Sequence, residues 1–141
     1  MIRIVVDTNV LVSACIGRGP ASKVIEACMT QRIEPLVSPA LYLEYEDVVN
    51  RDAIFRNGRL NRDERNDLLD AFLGKCIIAD IYYRWRPNLR DEADNHIIDL
   101  AVAGNARYIV TSNIRDFAGA ELKFDQGKII RPEHLLEELR L

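Results

Sequence analysis

The sequence contains no glycine-rich phosphate cradle of the GxxxxGK[ST] or GxGxxG type, which counts against a nucleotide-binding module. It has no CxxC pair, and its cysteines, Cys15, Cys28 and Cys76, are odd in number and lie in apolar or helical contexts. They read as reduced core thiols of a cytoplasmic protein rather than a disulfide framework. Histidine is scarce: His96 and His134 stand alone, so there is no zinc ligand set, and each reads as a surface or packing residue. Long apolar runs are missing too. The stretch from Ile2 to Ile16 is interrupted by Asp7, Thr8, Asn9 and Ser13, so neither a signal peptide nor a membrane span is expected. Nor is there a surplus of positive charge. With 19 Lys and Arg against 22 Asp and Glu, a net charge of -3, the chain is no broad coater of nucleic acid, and any such contact has to be a local patch.

What is present suits one domain over residues 1–141, since 141 residues that are 48% hydrophobic bury one core rather than two. Ile2 to Val6 is a β-branched run without polar alternation, which predicts a buried parallel strand ending at Asp7. A first helix is expected over Asn9 to Ile16, and a second after the break at Gly17-Arg18-Gly19, with Pro20 at its first position. A strand near Glu34 to Val37 precedes Ser38-Pro39, an N-cap with a first-turn proline that predicts a helix to about Arg51. After a polar loop over 51–60, Asn61 and Glu64 have capping-box spacing ahead of Leu68, Leu69, Phe72 and Leu73. Ile77-Ile78 is a short apolar segment, and Glu92 to Ala103 is a helix stopped by Gly104, where a left-handed cap is expected. Arg107 to Thr111 and Lys128 to Ile130 are further strands, and Pro132 opens a last helix. Strands alternating with helices predict an α/β fold around a parallel sheet.

In such sheets ligands gather at the carboxyl ends of the strands, and two polar clusters fall there. Asp7-Thr8-Asn9 follows the first strand, and Thr111-Ser112-Asn113 with Asp116 follows a later one. Asp7 by itself fits a helix cap equally well. Glu44 is more pointed, because helical spacing sets it between Leu41 and Val48 on an apolar stripe, where an unpaired carboxylate is costly. Asp94 repeats the pattern beside Ile97, Ile98 and Ala101, with Asp91 a turn earlier, whereas Glu92, Asn95 and Asp99 read as a solvated face. Acids of this kind on separate elements suggest one site for a hard divalent cation, Mg2+ or Mn2+, and hence phosphate chemistry.

These motifs together resemble the PIN-domain family, in particular the small VapC-like toxin ribonucleases of toxin-antitoxin pairs. The resemblance rests on Ile4-Val5-Val6-Asp7-Thr8-Asn9-Val10, on Ser38-Pro39-Ala40-Leu41 with Glu44, on Asp91-Glu92-Ala93-Asp94-Asn95 before Ala101, and on Tyr108 to Asn113 followed by Asp116-Phe117. It spans essentially the whole chain. It implies a three-layer α/β/α sandwich with a central parallel sheet of four or five strands, with Asp7, Glu44 and Asp94 as metal ligands. Many PIN domains carry aspartate where this chain has Asn113; Asp116 supplies the missing charge, or Asn113 orients the nucleophile.

The expected activity is Mg2+-dependent endoribonuclease cleavage, in line, with water rather than the ribose 2'-hydroxyl attacking, leaving a 5'-phosphate and a 3'-hydroxyl. The catalytic set is then Asp7, Glu44, Asp94, Asn113 and Asp116. Thr8 and Asn9 orient Asp7, and Thr111 and Ser112 hydrogen-bond the acids or a phosphate. RNA requires a basic rim. The candidates are Arg51, Arg56, Arg59, Arg62 and Arg65, equally readable as a solvated face paired with acids, and Tyr82-Tyr83-Arg84-Trp85-Arg86, where Arg84, Trp85 and Arg86 join Thr8 and Ser112 as RNA contacts. The resemblance also implies a homodimer and a small antitoxin partner. Rival readings are a noncatalytic PIN-like RNA- or protein-binding module, and a magnesium-dependent phosphohydrolase with Asp7 as nucleophile; the latter usually wants a second aspartate where Asn9 stands.

Overall fold

The computed structural model describes residues 1–79, 92–119 and 124–141, and for 92–95 the backbone only. Within these, five short strands form one parallel sheet: β1 Arg3–Val6, β2 Glu34–Val37, β3 Ile77–Ile78, β4 Tyr108–Val110 and β5 Lys128–Ile130. Helices α1 Thr8–Ile16, α2 Pro20–Met29, α3 Pro39–Val49, α4 Arg62–Leu73, α5 Glu92–Ala103 and α6 Pro132–Leu139 flank it, which is the expected α/β/α sandwich. Among the described residues no helix is long and apolar enough to cross a membrane.

The strand order is β3-β2-β1-β4-β5. From β1 the chain winds outward to β2 and β3, and α5 then carries it back across to β4 on the other side of β1. Connections after β1 and β4 therefore leave in opposite directions and open a crevice at their carboxyl ends, the place where doubly wound sheets bind ligands. β1 is central, and Ile4, Val5 and Val6 are fully buried, which is why its sequence shows no alternation. Pairing of Ile4, Val5 and Val6 with Tyr108, Ile109 and Val110 sets Asp7 and Thr111 level with each other, one residue past the end of each strand.

Local signals explain the helix starts. Ser38 Oγ accepts from Leu41 N at 3.2 Å ahead of Pro39. The Asn61–Glu64 capping box is complete, with both bonds at 2.9 Å. The polar loop before it holds a short 3-10 turn, Asp52–Phe55.

The end of α5 differs from expectation. Gly104 is not left-handed; Asn105 takes that conformation, with φ of 55°. Gly104 is needed for space, because a Cβ there would lie 2.4 Å from Leu36 Cδ1 on β2 and 3.2 Å from the Leu100 carbonyl oxygen. Leu36 is buried and has little room to retreat. Gly104→Ala is therefore expected to destabilise by about 1–3 kcal/mol, the cost of overpacking a filled core, read from the denaturant midpoint.

Candidate active site

Asp7 belongs to strand and helix at once. Its N–H donates to the Val110 carbonyl at 2.9 Å, continuing the ladder to β4, while its Oδ1 accepts from Thr8 N at 2.8 Å as the N-cap of α1. The cap reading is thus correct and leaves the other oxygen to explain. Oδ2 accepts from Thr111 Oγ1 at 2.8 Å and from Asn9 Nδ2 at 3.1 Å. Asn9 also spans the crevice: its Nδ2 lies 3.3 Å from Thr111 Oγ1, and its Oδ1 accepts from Ser112 N at 3.0 Å. Thr111 Oγ1 in turn accepts from Asn113 N at 3.1 Å. The Asp-Thr-Asn and Thr-Ser-Asn triplets are one network holding the ends of β1 and β4 together.

The carboxylate so held is only 7% exposed. Burial pushes its pKa above the usual carboxylate value; the Thr111 and Thr8 bonds pull the other way, and the negative charges of Glu44 and Asp116 push it further up. Among the described residues no lysine or arginine forms an ion pair with it. With Oδ2 accepting two bonds and Oδ1 one, Oδ1 keeps a lone pair for another ligand.

Glu44 lies on the flank of the stripe by which Leu41, Tyr45 and Val49 bury α3. Its Oε1 accepts from Thr8 Oγ1, and its Oε2 sits 2.7 Å from His96 Nε2 on α5. Burial raises its pKa, but the bonds from His96 and Thr8 outweigh that, and it stays below the ordinary glutamate value. Tyr45, one residue on, donates its hydroxyl to the Val6 carbonyl and packs edge-on against Phe72 at 5.8 Å, which fixes α3 to the end of β1. Complete burial raises the Tyr45 pKa well above normal, so the hydroxyl remains a donor.

Asp7 and Glu44 thus meet, linked through Thr8, although 36 residues separate Thr8 from Glu44. Asp116 lies near enough to Asp7 to act on its ionisation, exposed on the 3-10 turn Ile114–Phe117, with Asn113 exposed at the head of that turn. Thr8 is buried with its hydroxyl on Glu44, and Ser112 is exposed. Asp94 falls on α5, but its side chain lies outside the described residues, as do Asp91, Tyr82, Tyr83, Arg84, Trp85 and Arg86. Among the described residues no group of three His, Cys, Asp or Glu side chains could hold a metal ion. The chemistry of the described residues is compatible with a cation none the less: acids from two elements are bonded to one residue, Thr8, and one of them is desolvated and lacks a basic partner among the described residues.

One sequence expectation needs correction, and of the two readings of the arginine cluster the one that pairs it with acids is found for most of its members. His96 is not a bystander; it is bonded to Glu44, and its side chain is 12% exposed. Its signal was its place one turn before the buried Leu100 and beside Ile97, where an imidazole needs a partner as much as Glu44 does. The arginine cluster is mostly structural. Arg65 is buried, stacked 4.3 Å over Phe55 and donating to the carbonyls of Val49 and Leu60 and, at 2.6 Å, to Asp52. Arg59 caps the end of α1 through the carbonyls of Ala14 and Gly17, Arg62 pairs with Asp52, and Arg51 pairs with Asp47. Arg56 is exposed, with no such bond among the described residues.

The fold and the polar crevice agree with the sequence comparisons. A family model described as the PIN domain matches residues 3–115, and the chain belongs to the PIN-domain family. Among solved structures, a chain in the crystal structure of VapBC2 from Rickettsia felis bound to a DNA fragment from their promoter aligns with a TM-score of 0.60 and 17% identity, over 92% of this chain and 98% of that one. At that identity the likeness is one of fold. No curated protein matches the sequence.

Two outcomes follow for the isolated site. A carboxyl group whose folded pKa exceeds its unfolded value contributes stability that is fully present below the unfolded pKa and lost as pH rises through the folded one. In EDTA at neutral pH Asp7→Asn is therefore expected to melt higher than wild type, with the gap closing as pH falls through the carboxylate range. Thr111→Val removes the shortest side-chain bond to Oδ2, and in a divalent-dependent site it should lower cation affinity or activity roughly 10–100-fold, measured by calorimetric titration with Mn2+.

Proposed function

We propose that this PIN domain is a divalent-cation-dependent endoribonuclease, the toxin of a toxin-antitoxin pair. The observation that carries the reading is Asp7: a nearly buried carboxylate at the crevice between β1 and β4, within electrostatic reach of Glu44 and Asp116, its charge unmatched by any described lysine or arginine. Asp7, Glu44 and Asp94 would hold Mg2+ or Mn2+. When bound, the cation offsets phosphate charge and activates water for in-line attack.

The remaining work falls to the chain. Thr111 and Asn9 hold Asp7 Oδ2, so Oδ1 presents its spare lone pair. Thr8 fixes one oxygen of Glu44 while capping the peptide that leads out of β1. Asn113 and Asp116 stand exposed on the same edge, where they meet the sugar-phosphate backbone or the attacking water. Arg84, Trp85 and Arg86 are the proposed RNA contacts, with Ser112 at the mouth of the site.

A small antitoxin is the proposed partner and a homodimer the proposed assembly, with action in the cytoplasm, where RNA is met. Support comes from the family and from a fold neighbour that is part of a VapBC2 complex.

The test is to incubate the purified chain with RNA in Mg2+ and map the cut ends. Wild type is expected to leave 5'-phosphate and 3'-hydroxyl ends and to be silenced by EDTA. Asp7→Asn and Asp94→Asn should each lose more than the roughly 10–100-fold typical of outer supporting residues. RNA binding without cleavage would replace this reading with a noncatalytic module, and a trapped phospho-aspartate on Asp7 would replace it with a phosphohydrolase.

A further inference from the structure

The Glu44 carboxylate is held from two elements at once. Thr8, at the start of α1, donates to Oε1, and His96, on α5, meets Oε2 at 2.7 Å. An ionised carboxylate only accepts, so the proton in the second contact sits on His96 Nε2. The imidazole is nearly buried, whereas the Glu44 side chain is 35% exposed, so the less mobile group fixes the more mobile one. The other imidazole nitrogen, Nδ1, is buried and has no hydrogen-bond partner among the described residues. Among the described residues, the hydrogen bond of this buried imidazole is therefore the one from Nε2 to Glu44.

We infer that His96 is a positioning residue: its Nε2–H locks the rotamer of Glu44 so that the carboxylate faces the crevice beside Asp7, and this sets the affinity of the site for a divalent cation. The inference rests on the metal-dependent reading above. It assigns His96 no contact with substrate and no proton transfer. Oε1 and Oε2 each give up one lone pair to a protein donor, which leaves the carboxylate one orientation instead of a range of rotamers. Glutamate otherwise retains side-chain freedom, which a cation would have to remove on binding.

The experiment compares wild type, His96→Gln, His96→Leu, Glu44→Gln and the double variant His96→Leu/Glu44→Gln, with Asp7→Asn as control. Mn2+ affinity is read by calorimetric titration, and folding by thermal melting in EDTA. His96→Leu keeps bulk without a donor, and is expected to weaken Mn2+ binding about 10–100-fold, the effect usual for groups that orient a ligand. His96→Gln restores an N–H to Oε2 and should bind nearly as wild type does; should His96→Leu fail to fold, His96→Ala, which likewise removes the donor, takes its place. In the Glu44→Gln background the His96 change should add nothing. Equal affinity of wild type and His96→Leu, or losses that add in the double variant, would overturn the positioning role while leaving the nuclease reading intact. If wild type and Asp7→Asn alike bind no Mn2+, the metal-dependent reading fails and the role of His96 falls with it.

Discussion

Everything at the carboxyl edge of this sheet depends on keeping the Asp7 carboxylate out of water with polar hydrogens alone. Burial disfavours its ionised form, and the charges of Glu44 and Asp116 disfavour it further. Three donors hold the carboxylate, the Thr8 amide, the Thr111 hydroxyl and the Asn9 side-chain amide, and the first two oppose that tendency. A serine could cap the helix in its place, so the cap by itself does not account for a buried carboxylate at a raised pKa in this crevice.

The topology supplies the place. Because α5 returns the chain across the sheet, β4 comes to lie beside β1 rather than beside β3, and their following loops part. Only then do Asn9 and Thr111, 102 positions apart, share a hydrogen bond. α3 is set by Ser38 and Pro39 at its start and by Tyr45 reaching the Val6 carbonyl, so the flank of its buried stripe lies over the same edge. Glu44 arrives there by helical periodicity and is then shared between α1 and α5.

Much of this was legible in the residues. Short-range chemistry announced itself: Ser38-Pro39, the Asn61–Glu64 box and the unalternating β1 each name their structure, and each is found. Glu44 drew notice because charge beside an apolar stripe is expensive, and it is found bonded to Thr8 and His96. What was not legible needs three-dimensional neighbours. Gly104 looks like a cap in sequence, and only the approach of Leu36 shows that it is a gap for a side chain. Five arginines in a polar stretch look like a rim for RNA, yet a guanidinium can serve carbonyls as well as phosphates, and Arg65 and Arg59 do so. His96 was passed over because a lone histidine has no partner in sequence, and its partner is 52 residues away.

The two described carboxylates are prepared in opposite senses, and this bears on what the site can do. Glu44, bonded by Thr8 and His96, is held ionised below its ordinary range. Asp7, the more deeply buried, is held above it. The ionised form is thus favoured in one acid and penalised in the other, and the penalised one gains most when positive charge comes near. A lysine or arginine placed against Asp7 would supply that charge permanently, and among the described residues none does. Among the described residues, the crevice thus keeps an electrostatic deficit. That is the condition under which a hard cation, and the phosphate it attracts, are favoured over a closed internal salt bridge.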